Sequence, residues 1–230
     1  MEKNSVVIVA GGTGTRIGGT VPKQYLNLQN KTILQITIEH FAASPLIHHF
    51  IIVAHPDYHA DVKQILKQSG ISGIIAASGK ERQDSVANGL EAALPLSDKI
   101  LIHDAARPFI HRTIIENCIS ELNQFEAVVT AQKCRDTLKI AADNIVRSTE
   151  DRTKYYLAQT PQGFTKATVE KVLNDIRTSG LLGTDDVFFA ERLGIPVKVV
   201  EGSSFNFKIT TPEDLKMAEA LAGKYGYQIA

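Results

Sequence analysis

An α/β fold with a mostly parallel sheet and helices on both faces is predicted by three features of the 230-residue sequence. Short apolar, β-branched runs alternate with longer stretches of helical period along the chain. A glycine-rich turn follows the first of those runs, and a helix start marked by a proline and two acids stands near the end. One domain of this length buries a sufficient core, so residues 1–230 are expected to form a single domain.

Strands are expected near residues 5–10, 48–54, 72–77, 99–103, 126–132 and 196–201, with helices between them. Within 82–94, Val86, Leu90 and Leu94 recur at i, i+4 and i+8 and give one apolar stripe to lay on the sheet. Thr211-Pro212-Glu213-Asp214 offers an N-cap, a proline at the first helical position and two carboxylates in the first turn. A last helix therefore starts there and runs to about residue 222. Thr184-Asp185-Asp186 reads as a helix start on the same grounds. The stretch 134–158 departs from the pattern: two short strand-like runs flank Ala142-Asp143-Asn144 as in a hairpin, in a segment too polar for the core. It predicts a β-arm protruding from the main body.

Bulk properties exclude several classes of function. The 25 basic residues balance 25 acidic ones, which removes the footprint that nucleic-acid binding requires, so any nucleotide bound is expected to be small. The start MEKNSVVIVA has one basic residue and an apolar run of only about five, too short for a signal peptide or a membrane span. A cytoplasmic protein without a membrane partner is expected. Cys118 and Cys134 stand apart with neither CxxC spacing nor a nearby His cluster, which argues against a disulfide framework or a zinc site.

Chemistry concentrates in the turn after the first strand, Gly11-Gly12-Thr13-Gly14-Thr15-Arg16, followed by Pro22-Lys23-Gln24-Tyr25. Glycine at this density lets backbone N–H groups approach and cradle phosphate oxygens. Two rival phosphate motifs fail: Gly14 is followed by Thr15-Arg16 rather than Lys-Ser/Thr, and no register supplies the three glycines of a dinucleotide fingerprint. Attack of a phosphate oxygen on the α-phosphorus of a nucleoside triphosphate concentrates negative charge in the transition state. Arginine bridges two such oxygens with a planar fork and lysine adds a compact charge, so Arg16 and Lys23 are assigned to that task.

The segment Ala10 to Arg16 with Pro22 to Tyr25 resembles the nucleotidyltransferase superfamily that makes CDP- and UDP-activated sugars. The stretch 100–109, ILIHDAARPF, is similar to the signature of the 2-C-methyl-D-erythritol 4-phosphate cytidylyltransferases, the third enzymes of the methylerythritol phosphate route to isoprenoids. The blocks GKERQDSV at 79–86, RDTLK at 135–139, QTPQ at 159–162, TDD at 184–186 and NFKIT at 206–210 continue the resemblance in order, over nearly the whole chain. Ribitol 5-phosphate cytidylyltransferases share several of these blocks but normally lack the Thr and Lys that stand here as Thr137 and Lys139. Gly11, where the methylerythritol enzymes usually carry alanine, is also common in the ribitol group. Ribitol 5-phosphate therefore stays as the alternative acceptor.

The resemblance implies a Rossmann-like fold, CTP and a polyol phosphate as substrates, Mg²⁺ as cofactor, and a homodimer in which the arm is exchanged. It places Ala10, Gly11, Gly12, Gly14, Gly79, Arg82, Ser85 and Ala105 around CTP, and Asp104, Arg107, Thr137 and Thr184 around the acceptor. Arg16, Lys23, Arg152 and Lys208 are implied as catalytic, Arg152 completing the partner's site. The residues add their own arguments. His103-Asp104 ends a strand, whose side chains would point into the ligand crevice, and Asp104 could hold the metal or merely cap the turn before Pro108. Arg107 could clamp a phosphate or simply pair with Asp104. Lys208 between Phe207 and Ile209 suits a substrate phosphate better than a structural place, because lysine is seldom buried alone.

Overall fold

The computed structural model of the chain describes residues 2–12 and 21–227. The chain forms Asn4–Ala10 (β1), Asn27–Leu28 (β2), Lys31–Thr32 (β3), Ile33–Ala42 (α1), His49–Ala54 (β4), His59–Gln68 (α2), Gly73–Ala77 (β5), Arg82–Ala93 (α3) and Lys99–Asp104 (β6). There follow Arg112–Glu121 (α4), Ala127–Lys133 (β7), Lys139–Ala142 (β8), Ile145–Thr149 (β9), Tyr156–Thr165 (β10), Lys166–Ser179 (α5), Phe188–Arg192 (α6), Val197–Glu201 (β11) and Pro212–Tyr225 (α7).

Seven strands make the central sheet in the order β11-β7-β10-β6-β1-β4-β5. All neighbours run parallel except β10, which is antiparallel to both β6 and β7. Each strand read from an apolar run is present to within one residue at either end. Because side chains alternate across a strand, Val6 and Ile8 of β1 enter one apolar layer with α1, α2 and α4, while Val7 enters the opposite layer with α3 and α5. The α3 stripe works as its spacing requires: Val86 and Leu90 are buried, each stabilising the packing by roughly 1.5–3 kcal/mol. Leu94 lies just past the helix end and packs partly buried on the same layer.

The last helix starts at Pro212 with Thr211 as its cap, in a capping box with Asp214, and runs to Tyr225, three residues past the expected end. Its Ala218 and Ala222 close a third apolar cluster with Leu28, Ile33 and Phe109. Two expectations need correction. Thr184-Asp185-Asp186 does not begin a helix: α6 starts at Phe188, and Asp185 accepts the Phe188 N–H at 3.1 Å from just outside it. The arm is shorter than 134–158, because Tyr156, Leu157 and Ala158 already pair with β7 as the start of β10. What remains is the exposed β8–β9 hairpin, turned by Asp143 and Asn144 at φ 51° and 60°, left-handed values suited to a tight hairpin. Both cysteines are free and buried, and burial pushes the Cys118 thiol up to about 12.

Candidate active site

β4 and β5 lie on one side of β1 and β6 on the other, so the crossovers reverse direction at the carboxyl ends of β1 and β6. An open α/β sheet leaves its ligand crevice at such a point. A cavity of about 500 Å³ sits there. Its walls are Gly11, Gly12 and Lys23 from the glycine-rich segment, His55 after β4, Ser78 to Arg82 with Ser85 at the start of α3, and Asp104, Ala105, Ala106 and Lys208.

The described part of the glycine-rich segment is pinned by Gln24, whose side-chain amide donates to the carbonyls of Ala10 at 2.6 Å and Gly12 at 2.7 Å. Lys23 Nζ donates to the Ile209 carbonyl at 2.6 Å and so tethers this side of the cavity to the segment carrying Lys208. Gly11 stands where the sequence resemblance expects alanine, and the fold explains why. A Cβ there would lie 2.3 Å from the Cβ of Ser78, so any residue other than glycine at 11 would force the two segments apart. Gly14 and Arg16 lie outside the described residues.

Asp104 is the electrostatic centre. Its Oδ1 accepts from Arg82 at 3.1 and 3.2 Å, and its Oδ2 meets Lys208 at 2.9 Å and Arg107 at 3.4 Å. Burial opposes its ionisation, but Arg82, Lys208 and Arg107 outweigh that and hold the carboxyl far below the usual carboxylate range. Arg82 reaches the other way to Asp186, bidentate at 2.6 and 2.9 Å. Burial pushes the Asp186 carboxyl upward, with Arg82 opposing. Arg107 also donates to the Asn206 carbonyl at 2.8 Å. The pairing reading for Arg107 is thus realised, beside the cavity wall rather than in it.

A divalent cation of the Mg²⁺ type needs only one or two carboxylates when substrate phosphates supply further oxygens. Among the described residues, no group of three His, Cys, Asp or Glu side chains converges to hold a metal. Asp104, ionised and lining the cavity, can take the single-carboxylate share only where one of its pairings with Arg82, Lys208 or Arg107 opens to admit the ion.

Several assignments are displaced. His103 does not enter the crevice: it is fully buried on the other face of β6, and burial pushes its imidazole down to about 3, so the ring is neutral. The Ser85 hydroxyl is occupied by its own turn, accepting the Gly79 N–H at 3.0 Å and donating to the Glu81 carbonyl at 3.2 Å. Thr137, Arg152 and Thr184 are exposed and do not line this chain's cavity. Residues given no role by the sequence reading are Gln24, His55, Ser78, Lys80, Glu81 and Asp186. Gln24 carried a signal in its place beside Lys23, and Lys80, Glu81 and Asp186 in standing within the blocks 79–86 and 184–186.

A family model described as 2-C-methyl-D-erythritol 4-phosphate cytidylyltransferase matches residues 5–224. The chain belongs to this family. A cytidylyltransferase of that description from Clostridium botulinum (strain 657 / Type Ba4) is 38% identical over 227 residues, covering 97% of this chain and 99% of its own. Another from Syntrophus aciditrophicus (strain SB) is 37% identical over 230 residues, covering 97% of this chain and 98% of its own. Among solved structures, the 4-diphosphocytidyl-2C-methyl-D-erythritol synthase of Anaerococcus prevotii superposes with a TM-score of 0.87 at 30% identity, covering 97% of both chains. The cytidylyltransferase of Thermus thermophilus gives 0.81 at 32% identity, covering 97% of this chain and 100% of its own. Both share the mostly parallel, helix-flanked sheet. The ribitol alternative is not favoured by these relatives.

Proposed function

We propose that this cytidylyltransferase transfers the cytidylyl group of CTP to 2-C-methyl-D-erythritol 4-phosphate, releasing pyrophosphate and forming 4-diphosphocytidyl-2-C-methyl-D-erythritol. The observation that carries this is the set of cations around one ionised carboxylate, Arg82, Arg107 and Lys208 on Asp104, with Lys23 and the glycine segment lining the same cavity. A phosphate oxygen of the acceptor attacks the α-phosphorus of CTP, the bond from that phosphorus to the bridging oxygen breaks, and pyrophosphate leaves. The acceptor is its own nucleophile, so positioning and charge neutralisation supply the acceleration.

Arg16 and Lys23 neutralise the triphosphate in the transition state, and Lys208 with Arg107 and Asp104 orients the acceptor. Ala10, Gly11, Gly12, Gly14, Gly79, Arg82, Ser85 and Ala105 form the CTP side, where Ser85 acts by shaping the turn that faces the base. Bound at Asp104, Mg²⁺ would supply further positive charge to the triphosphate oxygens. Thr137, Thr184 and Arg152 contribute to acceptor binding, and Arg152 does so in a partner's cleft, with the arm exchanged in a homodimer. We assign residues 1–230 to one nucleotidyltransferase domain, place the enzyme in the cytoplasm, and give it no membrane or nucleic-acid partner. Among the described residues no helix is long and apolar enough to cross a membrane.

Incubating the purified protein with CTP, Mg²⁺ and either acceptor tests the reading. Pyrophosphate release with methylerythritol phosphate is expected; release only with ribitol 5-phosphate would overturn the acceptor.

A further inference from the structure

His103 precedes Asp104 but faces the opposite side of β6, edge-on to Phe41 with ring centroids 4.9 Å apart. Both ring nitrogens are engaged. Nε2 lies 3.0 Å from the Arg107 carbonyl oxygen, which only accepts, so Nε2 carries the hydrogen. Nδ1 lies 3.0 Å from Oγ1 of Thr160, and that oxygen accepts the Asp104 backbone N–H at 3.1 Å, which leaves the hydroxyl hydrogen to point at Nδ1. Two more bonds close a ring: Arg107 Nη1 donates to the Asn206 carbonyl at 2.8 Å, and the Asn206 amide donates to the Thr160 carbonyl at 2.7 Å. The ring joins the end of β6, the turn after it, β10 and the segment that carries Lys208.

We propose that His103 is a positioning residue for the acceptor end of the cleft, fixing Asp104 and Arg107 to one another and, through Asn206, to the Lys208 segment. This rests on the cytidylyl transfer proposed above, in which Asp104 and Lys208, with Arg107 held behind them, orient the acceptor. His103, Thr160 and Asn206 are buried and lie outside the cavity walls, so their effect on substrate is indirect. Every bond in the ring has a fixed direction, and a buried network so connected holds one geometry. Transfer between two bound phosphates is sensitive to displacements of about 1 Å, which gives that geometry its catalytic weight.

Two substitutions break the same bond from opposite ends. His103→Gln removes the acceptor at Nδ1, and Thr160→Val removes the hydroxyl while nearly keeping the side-chain shape; Thr160→Ser restores it. Steady-state kinetics with CTP and methylerythritol phosphate, with amide hydrogen exchange at Asp104, read the outcome. The first two variants should lose on the order of 10–100-fold in kcat/KM for the acceptor, with KM for CTP within about twofold of the parent, and Thr160→Ser should recover most of the loss. Parental kinetics, or equal losses towards CTP and acceptor, would overturn the proposal. If His103→Gln does not fold, the Thr160 pair decides by the same criteria. If the parent protein fails to turn over this substrate pair, the functional reading falls, and exchange in His103→Gln then judges the ring alone: faster exchange at Asp104 supports it and an unchanged rate overturns it.

Discussion

At Asp104 three cations share one buried carboxylate, and the arrangement stores positive charge beside a cavity of about 500 Å³. Lys23 lines the same cavity and reaches the Ile209 carbonyl next to Lys208. Replacing Lys23 with Ala should lower kcat by two to three orders of magnitude, about 3–4 kcal/mol of barrier, with the thermal midpoint little changed; near-parental turnover contradicts its role. A second expectation concerns pH. The His103 imidazole is held down at about 3 by burial against an ordinary 6.5, so between those values the unfolded chain binds a proton that the folded chain does not. Stability is therefore full above about pH 6.5 and falls on acidification, by about 1.4 kcal/mol per pH unit well below 6.5, and half-buried His40, also lowered, adds in the same direction. Urea unfolding at pH 7 and pH 5 reads this, and equal stabilities would contradict it. Asp104 and Lys208 were legible in the sequence because a strand end and an oddly placed lysine are local signals. The pairing of Asp186 was not, since its partner Arg82 lies 104 positions away and no local period reports such a contact.

Among the elements, the parallel strands were legible because strands covered on both faces are continuous apolar runs. β10 was hidden for the opposite reason. Its QTPQGF segment carries Pro161, Gly163 and two glutamines that look like a loop, yet Gln162 holds the backbone N–H groups of Asp186 and Val187, both at 2.9 Å, and Phe164 fills the core. The α3 helix shows how closely elements are fitted. A Cβ on Gly89 would come within 2.3 Å of a Val7 methyl and 2.7 Å of one on Val53. Gly89→Ala should therefore lower the thermal midpoint: the gain of about 1 kcal/mol in helix propensity is outweighed by about 1–3 kcal/mol or more of overpacking in so tight a contact. A raised midpoint would show that the helix can lift from the sheet without cost.

For the molecule as a whole, the arm is the element that the single chain leaves without a packing surface. Ile140, Ile145 and Val146 are each at least half exposed on a two-stranded hairpin, which has little stability of its own without a surface to lie on. The proposed homodimer supplies that surface and brings Arg152 into a cleft. Sedimentation should give twice the chain mass, and Val146→Glu should shift the protein towards monomer and reduce turnover; a fully active parental monomer contradicts arm exchange. Cytidylyl transfer to methylerythritol phosphate is read at once by phosphorus NMR of a mixture of protein, CTP, Mg²⁺ and that acceptor. The expected spectrum holds the paired doublets of an unsymmetrical diphosphate together with free pyrophosphate. Unreacted CTP, or its hydrolysis without an acceptor-linked diphosphate, would contradict it.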